Sequence, residues 1–377
     1  MSEFPKINIV AVSSCFGLGP VGKLAAIIKR SENDFNWFAT GEQFDFSVFD
    51  KNIFIDTCWS MDKDTVAEFI QKYQIRIALV VLKNKMARLL TELGVKVVYV
   101  DSLPFMWTPK DAAEGKIPYN VAYYCAQKTL KLSDVSEKLF SKVENLLWVN
   151  PIVNKCKSVA IKDNYVLINL GGMHSPHGTN NDYLQLVIKP LIEVLKTSNK
   201  EIIITCGKNA QSDVKLIVGE SAKVTTFSQD TFIKKVFSAS LFFTAPGMTT
   251  IVEILQGNIP TILLPPQNLS QFYNIEYAKT VISRYKCIDW LTEKLSLDYF
   301  SRIADLDEGE LVKKIYQSIQ TENTLDNQLK YQKHIETVLA SDYNINLEND
   351  SNNLNGVDQI ADLLNTVKAH IIQEGGC

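Results

Sequence analysis

The residues best suited to chemistry lie in one run from Leu241 to Ala278, LFFTAPGMTTIVEILQGNIPTILLPPQNLSQFYNIEYA. An apolar stretch ends at Thr244, and Ala245-Pro246-Gly247 has the composition of a tight turn. Thr249 and Thr250 then open a helical pattern. A helix start presents unpaired N–H groups and the positive end of the helix dipole, which with two hydroxyls suits a diphosphate. Glu253 follows three and four residues later, on the same helix side, where its carboxylate can accept from both hydroxyls of a ribose. Gly257 stands where a helix-closing glycine belongs. A second apolar stretch, PTILLP, runs into Gln267, Asn268 and Gln271, neutral amides suited to sugar hydroxyls. A plain strand–helix–strand unit with a capped helix explains Glu253 alone, since acids are common in first turns. It does not explain the combination.

Other segments offer weaker chemistry. In VLINLGGMH an apolar run meets Gly171 and Gly172 at once, a pattern that lets backbone approach a ligand. His174 and His177 follow in the same loop; a hydrogen bond to phosphate or sugar and a plain exposed loop are both open readings for His174. Gly17, Gly19 and Gly22 form a G-x-G-x-x-G, with Glu42 about twenty residues further on, as in a dinucleotide fingerprint. Ser13 to Phe16 separate that motif from its apolar run, and Pro20 lacks an N–H. A loop that admits an acceptor is therefore the preferred reading for Gly17 and Gly19. Asp101 ends the run VKVVYVD and is expected at a cleft rim, as a general base or as a turn cap. Phe105 and Trp107 follow in a loop, where they could stack an acceptor or pack on their own domain.

The run Leu241 to Ala278 resembles the donor-binding region of GT-B glycosyltransferases. It is most similar to the peptidoglycan N-acetylglucosaminyltransferase and the UDP-glycosyltransferases. The resemblance implies that Gly247, Thr249 and Thr250 hold phosphate, Glu253 ribose, and Gln267, Asn268 and Gln271 the sugar, with Gly171 and Gly172 beside the donor. It also implies an inverting transfer from a nucleoside diphosphate sugar, a UDP-sugar, to a small-molecule acceptor, with no metal and no cofactor. The first loop, SSCFGLGPVGK, lacks the histidine those families carry there, which leaves the base open between Asp101 and other groups. Asp101 through Trp107, with YYCAQ, is similar to the cytosylglucuronate synthases. A sugar-nucleotide epimerase or hydrolase, a non-catalytic nucleotide-sugar-binding subunit and an NAD-dependent oxidoreductase remain as alternatives.

The elements needed to position these residues are legible as alternation. Apolar runs (KINIVAV, FNWFA, NIFI, IRIALVV, VKVVYV) alternate with helical patterns such as DKDTVAEFIQKY. After Asn150-Pro151 the alternation restarts with YVLINL, EIIIT, KVTTF, LFFTA and PTILLP. Continuous apolar strands between helices indicate α/β with parallel sheets. The expected architecture is two Rossmann-like doubly wound domains facing across a cleft, the GT-B arrangement. Residues 1–150 form the acceptor-side domain, 151–321 the donor-binding domain, and 322–377 a polar extension ending in a helix, VDQIADLLNTVKAHII.

The formal net charge of -3 and the absence of a basic stripe argue against nucleic-acid binding. No apolar run is long enough for a spanning helix, and the N-terminus lacks the pattern of a secretory signal. Seven scattered cysteines without a CxxC pair read as reduced thiols of a cytoplasmic protein.

Overall fold

The computed structural model describes residues 5–15, 17–49, 51–129, 134–154, 163–173, 179–257, 259–282, 286–303, 308–341 and 354–374. The chain divides into two compact units. One comprises residues 1–15, 20–154 and 352–377, the other 16–19 and 155–351.

The first unit is built on seven strands: β1 (Ile7–Ser13), β2 (Phe35–Thr40), β3 (Phe54–Cys58), β4 (Ile77–Val81), β5 (Lys96–Asp101), β6 (Tyr123–Gln127) and β7 (Leu146–Val149). They pair in the order β3-β2-β1-β4-β5-β6-β7, every pair parallel. The central strands are buried along most of their length, as a sheet covered by helices on both faces requires. Helix Lys63–Lys72 opens where the Asp62 carboxylate accepts from Thr65 N at 2.9 Å.

The sequence reading has five strands here; β6 and β7 are additional. β6 is buried like its neighbours but is a short run, YYCAQ, that ends in a polar residue; β7 is the edge strand, with Leu147 and Trp148 exposed. The final helix expected at the C-terminus is present. This helix, Gly356–Glu374, belongs to the first unit. Lys368 Nζ donates to Asp34 O at 2.8 Å, Gln359 Oε1 accepts from Asn150 N at 2.7 Å, and Lys96 pairs with Glu374 at 2.7 Å. Its apolar stripe, Val357, Ile360, Leu364, Val367 and Ile371, is buried. Such a stripe reveals that a core receives the helix, but not which core.

Gly356 fixes this docking, because a Cβ there would overlap the Asn150 carbonyl oxygen. Gly356→Ala is expected to destabilise the first unit by about 1–3 kcal/mol, the usual range for overpacking. A lowered urea midpoint measures it; an unchanged midpoint would show that the helix docks without that close approach.

The second unit has five strands: β8 (Tyr165–Asn169), β9 (Glu201–Thr205), β10 (Lys223–Thr225), β11 (Leu241–Thr244) and β12 (Thr261–Leu263). Their order is β10-β9-β8-β11-β12, again all parallel. All five coincide with runs read from the sequence. The helical pattern from Asn181 to Leu195 contains a π-helical stretch, Leu184–Ile188, just before Pro190. Proline cannot donate within the ladder, and the Lys189 N–H reaches back to Leu184 O instead.

Candidate nucleotide site

In the second unit the strand order reverses between β8 and β11: the chain builds outward through β9 and β10 on one side and through β12 on the other. In doubly wound sheets ligands sit beyond the carboxyl ends of the strands at this reversal. The register aligns those ends. Asn169 is level with Thr205 and Thr244, and Thr244 with Leu263. The loops carrying Gly171, Gly207, Gly247 and Gln267 therefore leave the sheet side by side.

After β8, Asn169 ties the two central strands together. Its Nδ2 donates to Thr244 Oγ1 at 3.0 Å, and its Oδ1 accepts from Gly171 N at 3.0 Å. Gly171 has φ +67°, a conformation for which glycine is suited. Its carbonyl accepts from Gly207 N at 3.1 Å, and a Cβ on Gly207 would lie 2.5 Å from Gly172 O. The two glycine loops thus pack backbone against backbone, which no larger residue allows. His174 and His177 lie outside the described residues.

After β11, Gly247 N donates to Ala245 O at 2.7 Å, and Gly247 caps helix Met248–Ile254. Asn274 reaches in from helix Leu269–Val281 and donates to Pro246 O at 2.9 Å, pinning the turn. Thr249 is buried and Thr250 half-buried at the helix start. Glu253, one turn on, is only 1% exposed, and Gln229 Nε2 donates to its Oε1. A carboxylate enclosed this far is costly unless donors surround it. Gly257 follows the helix without the left-handed conformation of a helix-closing glycine. Its smallness serves packing instead: a Cβ there would lie 2.6 Å from the Phe237 ring.

After β12, Gln267 is buried, and its N–H donates to Gln271 Oε1 at 2.7 Å. Asn268 Oδ1 caps helix Leu269–Val281, accepting from Gln271 N at 3.0 Å and Ser270 Oγ at 2.8 Å. The oxygens of Asn268 and Gln271 are committed to the helix start, which leaves their amide nitrogens as the groups to consider for a ligand. Gln229 and Asn274 are absent from the sequence reading. Gln229 had a signal, a polar residue opening a helix directly beyond a strand's carboxyl end. Asn274, inside a helix, had none.

In the first unit Asp101 is not at an open rim. It is 1% exposed, accepting from Trp107 Nε1 and Tyr124 Oη at 2.6 Å each and from Leu103 N at 2.8 Å. Burial pushes its pKa up, against the lowering effect of those three bonds. A carboxylate with its oxygens engaged by the following loop and by Tyr124 of β6 is the structural cap of β5, not a base for an incoming acceptor. Trp107 shares this correction: its indole N–H is spent on Asp101, and its ring packs against the buried core around Tyr99 and Tyr124. Phe105 is half-buried in the turn Pro104–Met106.

The Gly17–Gly22 segment lacks fingerprint geometry. β1 ends at Ser13 and helix Gly19–Ser31 begins five residues beyond its next residue, with Gly17 at φ +72° between them. Glu42 is bonded to Cys15 and Lys83. NAD(P) is therefore expected not to bind; calorimetry showing micromolar NAD(P) binding that Gly19→Val abolishes would contradict this. Among the described residues no group of three or more His, Cys, Asp or Glu side chains is placed to hold a metal, and no helix is long and apolar enough to cross a membrane.

Neither a protein-family model nor a curated protein matches the chain. Solved structures do. UDP-GlcNAc 2-epimerase from Methanocaldococcus jannaschii, in complex with UDP-GlcNAc and UDP, matches with a TM-score of 0.56 at 12% identity, over 96% of this chain and 100% of that one. Os79 from O. sativa, in complex with U2F and trichothecene, matches at 0.54 and 9% identity, over 88% and 100%. The chain has the GT-B fold. Arabidopsis thaliana UGT89C1 complexed with UDP-L-rhamnose gives 0.53 at 10% identity, over 89% and 99%. At these identities the likeness is one of GT-B architecture, two Rossmann-like domains with parallel sheets, and not of side chains.

Proposed function

We propose that the protein is a glycosyltransferase that binds a UDP-sugar through its second unit. The observation that carries this reading is Glu253, a carboxylate enclosed one turn into the helix that follows β11, at the reversal of the strand order. Gln229 supplies it with one donor. The vicinal hydroxyls of a ribose are a complementary pair of further donors. With ribose there, the pyrophosphate falls to the backbone and hydroxyls of Gly247, Thr249 and Thr250 and to the Gly171-Gly172 loop. The sugar falls to the amides of Gln267, Asn268 and Gln271.

Such a site stabilises a departing diphosphate by preorganised donors. An acceptor attacks the anomeric carbon from the face opposite the leaving group, which inverts the configuration. The chemistry on this reading needs a proton acceptor and no metal or cofactor among the chain's own groups.

A second reading is supported by the likeness to a solved UDP-GlcNAc 2-epimerase: conversion of the sugar nucleotide without an organic acceptor. Incubation with isotopically labelled UDP-glucose, UDP-N-acetylglucosamine and UDP-glucuronate, with and without a panel of hydroxyl, amine and ring-nitrogen acceptors, separates the two. Transfer yields a labelled glycoside plus UDP. An isomeric UDP-sugar formed without any acceptor would overturn transfer in favour of epimerisation.

A further inference from the structure

A buried polar group that the site as described does not use stands at the start of the helical run after β8. Asn180 is 3% exposed. Its Oδ1 accepts from Tyr183 N at 3.0 Å and so caps the run that begins at Asn181. Only the oxygen of an amide can accept from a backbone N–H, so the orientation of the Asn180 side chain is fixed and its nitrogen is the other end. That nitrogen, Nδ2, is buried and has no hydrogen-bond partner among the described residues.

The neighbours of Asn180 hold it in place and locate it. Leu184 N donates to Asn180 O at 3.2 Å, and Asp182 Oδ1 accepts from Asn323 Nδ2 at 2.8 Å, so the run starts from a clamped turn. Tyr183 is fully buried; its hydroxyl donates to Pro265 O at 3.1 Å, and the Gln267 side chain bonds the same hydroxyl. The Trp290 ring packs edge-on against Tyr183, and its Nε1 donates to Pro266 O at 2.9 Å. Asn180 therefore stands one turn from a side chain anchored on the segment that leaves β12. All of these residues belong to the second unit. The π-helical stretch Leu184–Ile188 begins directly after Tyr183, and such departures from the regular helix are frequent at functional sites.

The cap does not require an asparagine. Serine caps about as well and brings no amide nitrogen to bury. A donor enclosed without an acceptor is unfavourable and is rare in folded chains, so its presence calls for a use. We propose that Asn180 is a specificity residue of the donor site and that its Nδ2 donates to an oxygen of the transferred sugar, on the same side as Gln267. The proposal rests on the reading of the second unit as a UDP-sugar site and adds a contact that favours the sugar nucleotide over the bare nucleotide. Tyr183 ties Asn180 to Pro265 and Gln267, the sugar side of that site, whereas the phosphates fall to Gly247, Thr249 and Thr250. A free N–H donor needs an acceptor, and a sugar offers one as a hydroxyl, an acetamido carbonyl or a carboxylate.

Calorimetry with UDP, UDP-glucose, UDP-N-acetylglucosamine and UDP-glucuronate tests this, at a temperature where every variant is folded. Asn180→Ser keeps a capping oxygen and removes the amide nitrogen. Its Kd for the UDP-sugar that wild type binds tightest is expected to rise about 5- to 150-fold, the range for a buried partner left unsatisfied, with Kd for UDP and Tm near wild type. Asn180→Asp, which puts an acceptor where the donor stood, should lose at least as much. A purely structural cap would not change the ratio of UDP-sugar to UDP affinity. Unchanged UDP-sugar affinity in both variants overturns the proposal. An equal loss for UDP and UDP-sugar also overturns it, because the nitrogen then serves the diphosphate. Wild type that binds UDP but none of the three UDP-sugars overturns the sugar contact and leaves the nucleotide site standing. Wild type that binds none of the four is a failure of the donor-site reading itself, and the contact falls with it.

Discussion

Glu253→Ala is expected to weaken UDP binding about 10- to 150-fold without unfolding the protein. The range corresponds to losing a charge-assisted hydrogen-bond pair, about 1.5–3 kcal/mol. Glu253 is enclosed beside Gln229 in a helix whose start follows β11, so its removal takes away an acceptor that neighbouring groups do not replace. The small cavity left beside Gln229 lies at the ligand side of the sheet, where water can fill it. Isothermal titration with UDP measures the effect, with circular dichroism confirming the fold. An unchanged Kd would remove Glu253 from the site. Glu253→Gln should fall between, because the amide keeps one acceptor oxygen but loses the charge.

The second large effect concerns stability. Asp101→Ala is expected to cost about 1–3 kcal/mol for each buried donor that it leaves unsatisfied. It would leave the Trp107 indole N–H, the Tyr124 hydroxyl and the Leu103 N–H without their carboxylate. For a unit of this size the melting temperature of the first unit should fall by roughly 10 °C or more. Its pH behaviour has a definite sign. Burial raises the folded-state pKa of Asp101 above the unfolded value. Its contribution is therefore fully present below the unfolded pKa and declines as pH rises through the folded one. At temperatures where Asp101→Ala is folded, UDP affinity should match wild type, because Asp101 and Glu253 belong to different units. Wild-type stability with turnover lost at saturating donor would restore Asp101 as a base.

Much of the architecture was readable because parallel strands covered on both faces must be continuously apolar. The runs at residues 9–12, 77–81 and 165–168 satisfy that rule, and these elements fall where their runs do. What local pattern does not carry is destination. The stripe of Gly356–Glu374 was visible, but its return to the first unit depends on Lys368, Gln359 and Glu374 meeting residues hundreds of positions away. That Gly247, Thr249, Thr250 and Glu253 stand together was legible because one strand–helix–strand segment holds them. Asp101 misled because the end of a strand was readable while its burial under Trp107 and Tyr124 was not. Glu42 illustrates the converse. In sequence it stands as the acid of a nucleotide fingerprint; in the fold it is bonded to residues 27 and 41 positions away, Cys15 and Lys83.

The most direct measurement is a crystal structure of the protein with UDP. The pyrophosphate is expected against Gly171, Gly172, Gly247, Thr249 and Thr250, with the ribose hydroxyls on the Glu253 carboxylate. UDP bound around Gly17–Gly22 instead, or a well-ordered second-unit complex with Glu253 out of hydrogen-bond reach of the ribose, would contradict the assignment of the nucleotide site.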